Sequence, residues 1–200
     1  MQGTPDQTIQ FYNLHADQIL QESIHDQNSG ARETFSSLLP PRGTLFDAGC
    51  GPGLDLKWFK NAGFGVEGAD GSTRMVELAQ SAGVPVQVRD LRLLNLKKEH
   101  YDGIWCHRTI AHFSIEDCHR ILGLFFQALK PTHGLMFISY LEGAGPIAEP
   151  VSTISPVRTF YQYPQPALYS LLRQSGFHVL LRGERTEGDH NWIGVVAKRA

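Results

Sequence analysis

Apolar and polar positions follow two kinds of spacing along the chain. From residue 43 onwards, short apolar runs typical of strands are separated by stretches with helical spacing. The runs that predict strands are TLFDAG, FGVEGAD, VPVQVRD, YDGIWCH, GLMFISYL, FHVLLRGERT and NWIGVVAKR. Strands that alternate with helices predict right-handed crossovers and a parallel sheet. We therefore expect an α/β, doubly wound, mainly parallel seven-stranded sheet, with the last two strands paired as an antiparallel hairpin.

Two segments lie outside this alternation. Residues 1–42 have helical spacing with a polar break at residues 26–30, which predicts N-terminal helices. Residues 142–166 are rich in glycine, proline, serine and aromatic residues and are too long for an ordinary connection. We expect one domain over residues 1–200, in which residues 1–42 form a helical lid, 43–141 a ligand-binding core, 142–166 a loop over the site and 167–200 the final helix and hairpin.

Composition and charge narrow the classes of partner. The chain has 200 residues, 42% of them hydrophobic, which suits a single domain. A formal charge of -2 gives no support for a basic face that would bind nucleic acid or an anionic membrane. The first twenty residues lack the basic start and apolar run of a signal peptide, so we expect a cytoplasmic protein. Three cysteines without CxxC spacing indicate reduced thiols.

The stretch FDAGCGPGLD joins the first predicted strand to the helix after it. In an open parallel sheet, a ligand binds beyond the carboxyl ends of the strands, which is where this loop belongs. A dinucleotide loop requires G-x-G-x-x-G, and counted from Gly49 the last position holds Leu54. Pro52 lacks an N–H, and Asp55 places a carboxylate in the first helical turn; both disfavour a diphosphate. The loop predicts a nucleoside ligand with little negative charge.

Acidic residues follow the next two predicted strands. Asp70 ends FGVEGAD about twenty residues after Gly49, the separation at which an acidic residue binds ribose hydroxyls in βαβ nucleotide sites. Asp90 ends VPVQVRD, where its carboxylate is placed to accept a hydrogen bond from the exocyclic amine of adenine. The two residues extend the predicted nucleoside site along the edge of the sheet.

Four motifs in order, FDAGCGPGLD, GADGSTRMVELA, VQVRDL and LKPTHGLMFIS, together with YDGIWCHRTIAHF, carry a resemblance to a known family. The chain resembles class I S-adenosylmethionine-dependent methyltransferases, which have a Rossmann-like fold. It is most similar to small bacterial enzymes that act on small molecules, including the tellurite-resistance-like type. The resemblance covers residues 43–141 well and the last helix and hairpin loosely. Leu54 stands where relatives often carry a basic residue. His133 replaces the first glycine of the usual K-P-G-G turn, a change expected to affect turn geometry only.

The resemblance implies S-adenosylmethionine as the cofactor and S-adenosylhomocysteine as its product. It also implies a set of cofactor-binding positions. The methionine part is bordered by Asp47, Gly49, Cys50, Gly51 and Gly53, the ribose is held by Asp70, the adenine is flanked by Gly71 and Met75, its edge contacts Asp90 and Leu91, and the methyl-transfer pocket is lined by His107.

Methyl transfer from a sulfonium is an in-line displacement, for which positioning and a dry pocket supply most of the acceleration. For a hydroxyl or protonated amine, His107 is the predicted catalytic base, with Tyr12, Tyr140 and His112 as alternatives. Tyr12, His112, Tyr140 and Tyr161 are the residues expected to contact the substrate or to form a lid. For a lone pair on sulfur, selenium, tellurium or arsenic, no base is required.

Two other functions stay open beside transfer of a methyl group to a small molecule. One is a nicotinamide-dependent oxidoreductase, and the other is a protein that binds S-adenosylmethionine without catalysis. Cysteine and histidine residues between positions 106 and 119 match no common metal-ligand spacing, so no metal is expected. Neither the acceptor nor the oligomeric state is specified by the sequence.

Overall fold

The computed structural model describes residues 5–24, 29–149 and 158–200. Its α-helices are α1 Pro5–Ile24, α2 Ser29–Ser37, α3 Leu54–Asn61, α4 Thr73–Ser81, α5 Ile115–Ala128 and α6 Gln165–Gln174. Its strands are β1 Thr44–Ala48, β2 Gly65–Asp70, β3 Val86–Val88, β4 Gly103–Cys106, β5 Leu135–Glu142, β6 Gly145–Glu149, β7 Arg158–Tyr163, β8 Phe177–Glu187 and β9 His190–Arg199. Short 3-10 helices occupy Leu91–Leu93 and Ile110–His112. None of the described helices combines the length and apolar character that crossing a bilayer requires.

The strands form one twisted sheet in which β3, β2, β1, β4 and β5 pair in parallel, in that order. Strand β9 adds to β5 in the antiparallel sense, and β8 pairs with β9 as the predicted hairpin. The order reverses between β1 and β4, so the crevice beyond their carboxyl ends is the topological switch point. The predicted α/β, Rossmann-like, doubly wound fold with N-terminal helices and a C-terminal antiparallel pair is confirmed.

The segment predicted as a loop over the site contains two strands. Strands β6 and β7 pair as an antiparallel hairpin, so the described part of the sheet has nine strands rather than seven. Leu141 of β5 pairs with Trp192 of β9 and also with Gln162 of β7. Two strands that pair with the same residue of β5 must lie on opposite sides of β5. Strand β7 therefore lies on the side of β5 that β4 occupies nearer the start of β5. The hairpin therefore extends the sheet beyond the end of β4; residues 150–157 lie outside the described part.

Local sequence signals begin the helices that carry the site. The Ser72 side chain accepts a hydrogen bond from the backbone N–H of Met75, as an N-cap residue does, and Ser114 does the same for Asp117. Gly53 precedes α3 with φ 79°, a left-handed conformation that favours glycine. The helix starts are thus fixed by side-chain caps and by one glycine.

Both faces of the sheet are buried. Along β4, Ile104 and Cys106 face one side and Trp105 faces the other, where it stacks on Phe137 with centroids 4.0 Å apart. The first side is covered by α5 and α6 through Ile121, Phe125, Leu168 and Leu172, and the second by α2, α3 and α4 through Phe35, Leu56, Phe59 and Val76. Helix α1 packs against α4 and β7, so it crosses the carboxyl end of the sheet.

At the amino ends of the parallel strands, Asp102 links β1 to the turn before β5 through hydrogen bonds. Its carboxylate accepts from the backbone N–H of Thr44 at 2.7 Å, from Lys130 Nζ at 2.9 Å and from His133 Nε2 at 2.6 Å. Burial alone would raise the pKa of Asp102, but these hydrogen bonds hold it well below its usual range. The expectation that His133 affects only turn geometry was wrong, because its ring joins this buried carboxylate.

Candidate functional site

A cleft of about 680 Å³ opens beyond the carboxyl ends of β1, β2 and β4. Its walls come from α1, α2, the glycine loop, the ends of β2 and β3, the segment after β4, strand β7 and the β8–β9 turn. The volume lies within the range of pockets that bind small molecules. The chain thus places its predicted nucleoside loop at the floor of one concave site.

The three glycines of the loop have different neighbours. All have positive φ, at 78° for Gly49, 52° for Gly51 and 79° for Gly53. A Cβ on Gly49 would lie 2.2 Å from Thr109 Cγ2, and one on Gly53 would lie 2.8 Å from Ala79 Cβ. A Cβ on Gly51 would meet nothing within 4 Å. Gly51 therefore opens on the cleft, whereas Gly53 allows α3 to approach α4 and does not line the cleft, which corrects its predicted place beside the ligand.

Asp70 connects the end of β2 to the glycine loop. Its Oδ2 accepts a hydrogen bond from the backbone N–H of Gly51 at 2.9 Å, and its Oδ1 accepts from that of Ser72 at 2.8 Å. Burial raises the pKa of Asp70, and the two N–H groups partly offset the increase. Each carboxylate oxygen keeps a second lone pair, so Asp70 is able to accept further hydrogen bonds from a ligand in the cleft.

Asp47 lies at the end of β1 and also lines the cleft. It is only 2% exposed. Its pKa is raised well above the ordinary value, first by burial and then by the negative charges of Asp55 and Asp70. A buried carboxyl group beside two others is relieved by an opposite charge. The floor of the cleft consequently favours a ligand that carries positive charge.

Asp55 in the first turn of α3 collects three donors. Arg32 Nη1 of α2 lies 2.9 Å from Oδ1, while Trp105 Nε1 and His107 Nδ1 lie 2.8 Å and 3.2 Å from Oδ2. Burial alone would raise the pKa of Asp55, but the bonds from His107 and Trp105 and the charge of Arg32 lower it. Arg32 also lies 5.7 Å from the Trp58 ring centroid, and its Nε is buried without a hydrogen-bond partner among the described residues.

The predicted adenine side lies at the ends of β2 and β3. Gly71, Met75, Asp90 and Leu91 all line the cleft, as do Gly49 and Cys50 of the loop. Asp90 accepts hydrogen bonds from the backbone N–H of Arg92 at 2.9 Å and from its guanidinium group. This pairing lowers the pKa of Asp90. Asp90 therefore caps the short helix Leu91–Leu93 and borders the cleft at the same time.

The opposite wall is aromatic and comes from four separate elements. Tyr12 of α1 lies with its hydroxyl oxygen 2.8 Å from His112 Nε2. The His112 ring tilts by 32° against Phe160 of β7 with centroids 4.7 Å apart, and Phe160 meets Trp192 of β9 edge-on at 6.1 Å. The structure thus brings two of the predicted substrate-contacting residues, Tyr12 and His112, into contact.

The other two predicted substrate-contacting residues lie elsewhere. Tyr140 is fully buried in the core beneath α6, with a hydroxyl group that has no partner in the described part of the chain. Tyr161 packs against the same core. Side chains alternate between faces along a strand, so Leu141 and Phe160, the neighbours of these tyrosines, face the cleft instead. The placement of Tyr140 and Tyr161 at the site was wrong for this reason.

Sequence reasoning missed the basic residues of the cleft. Besides Arg32, these include Arg108 and Arg158. Arg108 adopts φ 55°, pairs with Glu187 of β8 and lies 5.4 Å from the Trp192 centroid. Arg158 lies 5.2 Å from the Phe11 centroid and 5.0 Å from that of Phe160. No periodicity marks these residues, because each comes from a segment whose path depends on tertiary packing.

The sulfur and metal chemistry of the described residues is limited. Within the described ranges, no group of three or more histidine, cysteine or carboxylate side chains is arranged to hold a metal ion. Cys50, Cys106 and Cys118 are free and buried, and burial raises the pKa of each thiol, to about 12 for Cys118. Because the thiolate is the nucleophilic form, these three cysteines are poor nucleophiles at neutral pH.

Comparison with solved structures gives several long matches. A TehB-like SAM-dependent methyltransferase from Corynebacterium glutamicum superimposes with a TM-score of 0.74 at 14% identity, over 94% of this chain and 99% of that one. The magnesium protoporphyrin IX methyltransferase of Synechocystis, with bound S-adenosylhomocysteine, gives 0.72 at 19% identity over 96% and 98%. The 1,6-didemethyltoxoflavin-N1-methyltransferase of Burkholderia thailandensis, with its substrate and S-adenosylhomocysteine bound, gives 0.67 at 18% over 96% and 90%. These likenesses establish the fold.

A family model described as a methyltransferase domain matches residues 20–181 of the chain. A search of curated proteins found no match. The matched range includes the glycine loop, the ends of β2 and β3, the segment after β4 and strand β7, and so most of the cleft. The motifs in their order, the fold and this match agree, and the chain belongs to the methyltransferase-domain family, with the fold of the S-adenosylmethionine-dependent enzymes.

Proposed function

We propose that the protein transfers the methyl group of S-adenosylmethionine to a small-molecule acceptor bound in the same cleft. The observation that carries this proposal is the floor of the cleft, where Asp70 is held by the N–H of Gly51 and Asp47 lies buried beside it. A nucleoside that carries a sulfonium and an ammonium group satisfies both features. Its ribose hydroxyls donate hydrogen bonds to Asp70, and its positive charge offsets the negative charge of the carboxylates.

The remaining parts of the cofactor have partners on other elements. Arg32, whose Nε lacks a hydrogen-bond partner among the described residues, is proposed to bind the cofactor carboxylate. This assignment accounts for Leu54, since α2 supplies the cation that relatives often carry at that position. Met75 and Leu91 are proposed to flank the adenine, and Asp90 to contact its edge. His107, oriented by Asp55, is proposed to border the methyl group.

A nicotinamide dinucleotide fits the same floor poorly. Its diphosphate would lie among Asp47, Asp55 and Asp70, and Pro52 supplies no N–H donor to it. Asp55 is paired with Arg32, so the carboxyl groups of Asp47 and Asp70 are the ones that would oppose a diphosphate. The electrostatics of the floor therefore favour the sulfonium nucleoside over the dinucleotide.

The size and lining of the cleft support a small acceptor. Its second half has an aromatic wall with Arg108 and Arg158 beside it, and aromatic side chains with charged or polar groups placed among them are typical of small-molecule sites. The Burkholderia neighbour was solved with a small heterocyclic substrate beside S-adenosylhomocysteine. A cleft that continues past the cofactor site into such a wall also favours catalysis over cofactor binding alone.

Thermal unfolding with S-adenosylmethionine, S-adenosylhomocysteine, NAD and NADP tests the proposal. A ligand that binds only the folded protein raises Tm, so the two sulfur nucleosides should stabilise it and the dinucleotides should not. Loss of the shift in Asp70→Asn, with retention in the surface variant Glu77→Gln, would locate binding in the cleft. Stabilisation by NAD alone would reject the proposal. If S-adenosylmethionine binds but no acceptor leads to formation of S-adenosylhomocysteine, the non-catalytic alternative is favoured.

A further inference from the structure

The hydrogen bonds around His112 determine which nitrogen of its ring carries the proton. His112 Nδ1 lies 2.9 Å from the carbonyl oxygen of Thr159 on β7, and a carbonyl oxygen only accepts. The neutral ring therefore carries its hydrogen on Nδ1 and a lone pair on Nε2. The Tyr12 hydroxyl, 2.8 Å from Nε2, is accordingly the donor to that lone pair. Three elements, α1, β7 and the segment after β4, are needed to form this chain of hydrogen bonds.

Both side chains line the acceptor half of the cleft, beside a wall suited to a flat ring. Phe160 lies against His112, and Trp192 meets Phe160 edge-on. Aromatic ligands pack on such walls by offset stacking and edge contacts. Because Nε2 of His112 is already hydrogen-bonded to Tyr12, an acceptor in the cleft would reach the pair through the oxygen of Tyr12.

We propose that the acceptor is a neutral hydroxyl group on an aromatic ring, and that Tyr12 and His112 remove its proton during methyl transfer. This inference rests on the proposed function and specifies its acceptor atom. A lone pair on sulfur, selenium or tellurium requires no proton acceptor, whereas a phenol with a pKa of about 10 is mostly protonated at neutral pH. A tyrosine–histidine relay in the acceptor half is matched to an acceptor that must lose a proton, and the aromatic wall beside it favours a hydroxyl group carried on a ring.

The step balances without any further reactant. The acceptor oxygen forms a bond to the methyl carbon as the carbon–sulfur bond breaks and its electron pair stays on sulfur. The acceptor proton passes to Tyr12 Oη, while the hydroxyl proton of Tyr12 passes to His112 Nε2. The imidazolium ion that results keeps hydrogen bonds at both nitrogens, to Thr159 and to Tyr12, before it loses the proton to solvent.

The first test needs no acceptor. Nitrogen-15 NMR of the imidazole rings, with the His112 signal assigned by its loss in His112→Gln, should show a neutral ring protonated on Nδ1. The Nε2–H tautomer in the wild-type protein would overturn the relay, because Nε2 would then have no lone pair for a proton. The control variant Tyr161→Phe, whose ring packs outside the cleft, should leave the spectrum of His112 unchanged.

The second test compares acceptors by their need for deprotonation. Release of S-adenosylhomocysteine is measured with phenols as weakly acidic as tyrosine and with 4-nitrophenol and thiophenol, which are ionised in mildly alkaline buffer. Tyr12→Phe and His112→Gln should slow methylation of the weakly acidic phenols by at least about 100-fold, the scale of general base catalysis, and that of the ionised probes by less than about threefold. Tyr161→Phe should match the wild type throughout.

The outcomes separate the two levels of the proposal. Equal losses on neutral and ionised acceptors would assign Tyr12 and His112 a structural role and overturn the relay. If S-adenosylhomocysteine binds but no oxygen probe is methylated, the hydroxyl acceptor is overturned while the cofactor site stands. If neither sulfur nucleoside raises Tm, the proposed function itself fails.

Discussion

Alanine at Gly51 and at Gly53 should separate ligand binding from packing within one loop. Both glycines have positive φ, so each substitution incurs the left-handed penalty of about 1–2 kcal/mol. Only at Gly53 does the new methyl group overlap its neighbours, 2.8 Å from Ala79 Cβ and 2.8 Å from Val84 Cγ2, and overpacking of this kind costs about 1–3 kcal/mol more. The backbone term is common to the pair, so the difference in the free energy of unfolding isolates the overlap.

That difference should be visible in Tm. For a chain of this size each kcal/mol shifts Tm by about 2–4 °C, so Gly53→Ala should unfold roughly 2–12 °C below Gly51→Ala. Titration calorimetry with S-adenosylhomocysteine should show the reverse order. The methyl group at Gly51 projects into the cleft and should weaken binding at least about tenfold, a loss of about 1.4 kcal/mol, whereas Gly53→Ala should retain affinity within about threefold. Equal Tm values, or unchanged affinity in Gly51→Ala, would refute this division of roles.

Three further substitutions test the charges of the floor. Asp70→Asn should weaken S-adenosylhomocysteine by about 1.5–3 kcal/mol in calorimetry, because one backbone N–H must then face an amide NH₂; a change below twofold would remove Asp70 from the site. Asp47→Asn should raise Tm of the ligand-free protein near neutral pH but weaken S-adenosylmethionine more than S-adenosylhomocysteine, which lacks the sulfonium charge. Because the pKa of Asp47 is raised in the folded protein, its protonated form stabilises the fold fully below the unfolded pKa of about 3.9, and this stabilisation is lost as pH rises through the folded pKa. The higher Tm of Asp47→Asn relative to the wild type should therefore vanish in acid. Arg32→Gln should weaken both nucleosides by a similar factor, since both carry the carboxylate, and a selective loss of either would contradict that assignment.

The core of the fold follows from local patterns that the sequence carries openly. Apolar runs and serine caps predict β1 to β5 with their helices, and Ser72 and Ser114 cap the helices as expected. The β6–β7 hairpin was missed because it lies in a segment rich in glycine, proline and serine, a composition typical of loops. The six residues of β7, RTFYQY, also lack the strict alternation of apolar and polar positions that marks a strand.

The candidate site was predictable where it depends on one loop and not where it depends on several elements. Gly51 and Asp70 follow strand ends, and the geometry of a parallel sheet brings them together. Arg32 and Trp192 reach the cleft from opposite ends of the chain, and their approach depends on packing that no local spacing encodes. The sequence does not distinguish Tyr161 from Phe160 as the cleft residue, because the face of β7 that meets the cleft depends on strand register.

The three tryptophans of the chain should allow ligand binding in the cleft to be followed by intrinsic fluorescence. Trp58 lies beneath Arg32 at the proposed cofactor carboxylate, and Trp192 lies beneath Arg108 at the acceptor wall. Trp105 is buried and donates its indole hydrogen to Asp55, which lines the cleft. Indole emission depends on nearby charge and on access of water. Variants of this protein that retain only Trp58 or only Trp192 should therefore report binding of the cofactor and of the acceptor separately. Fluorescence titration thereby gives the order in which the two ligands bind, even for an acceptor that is never turned over.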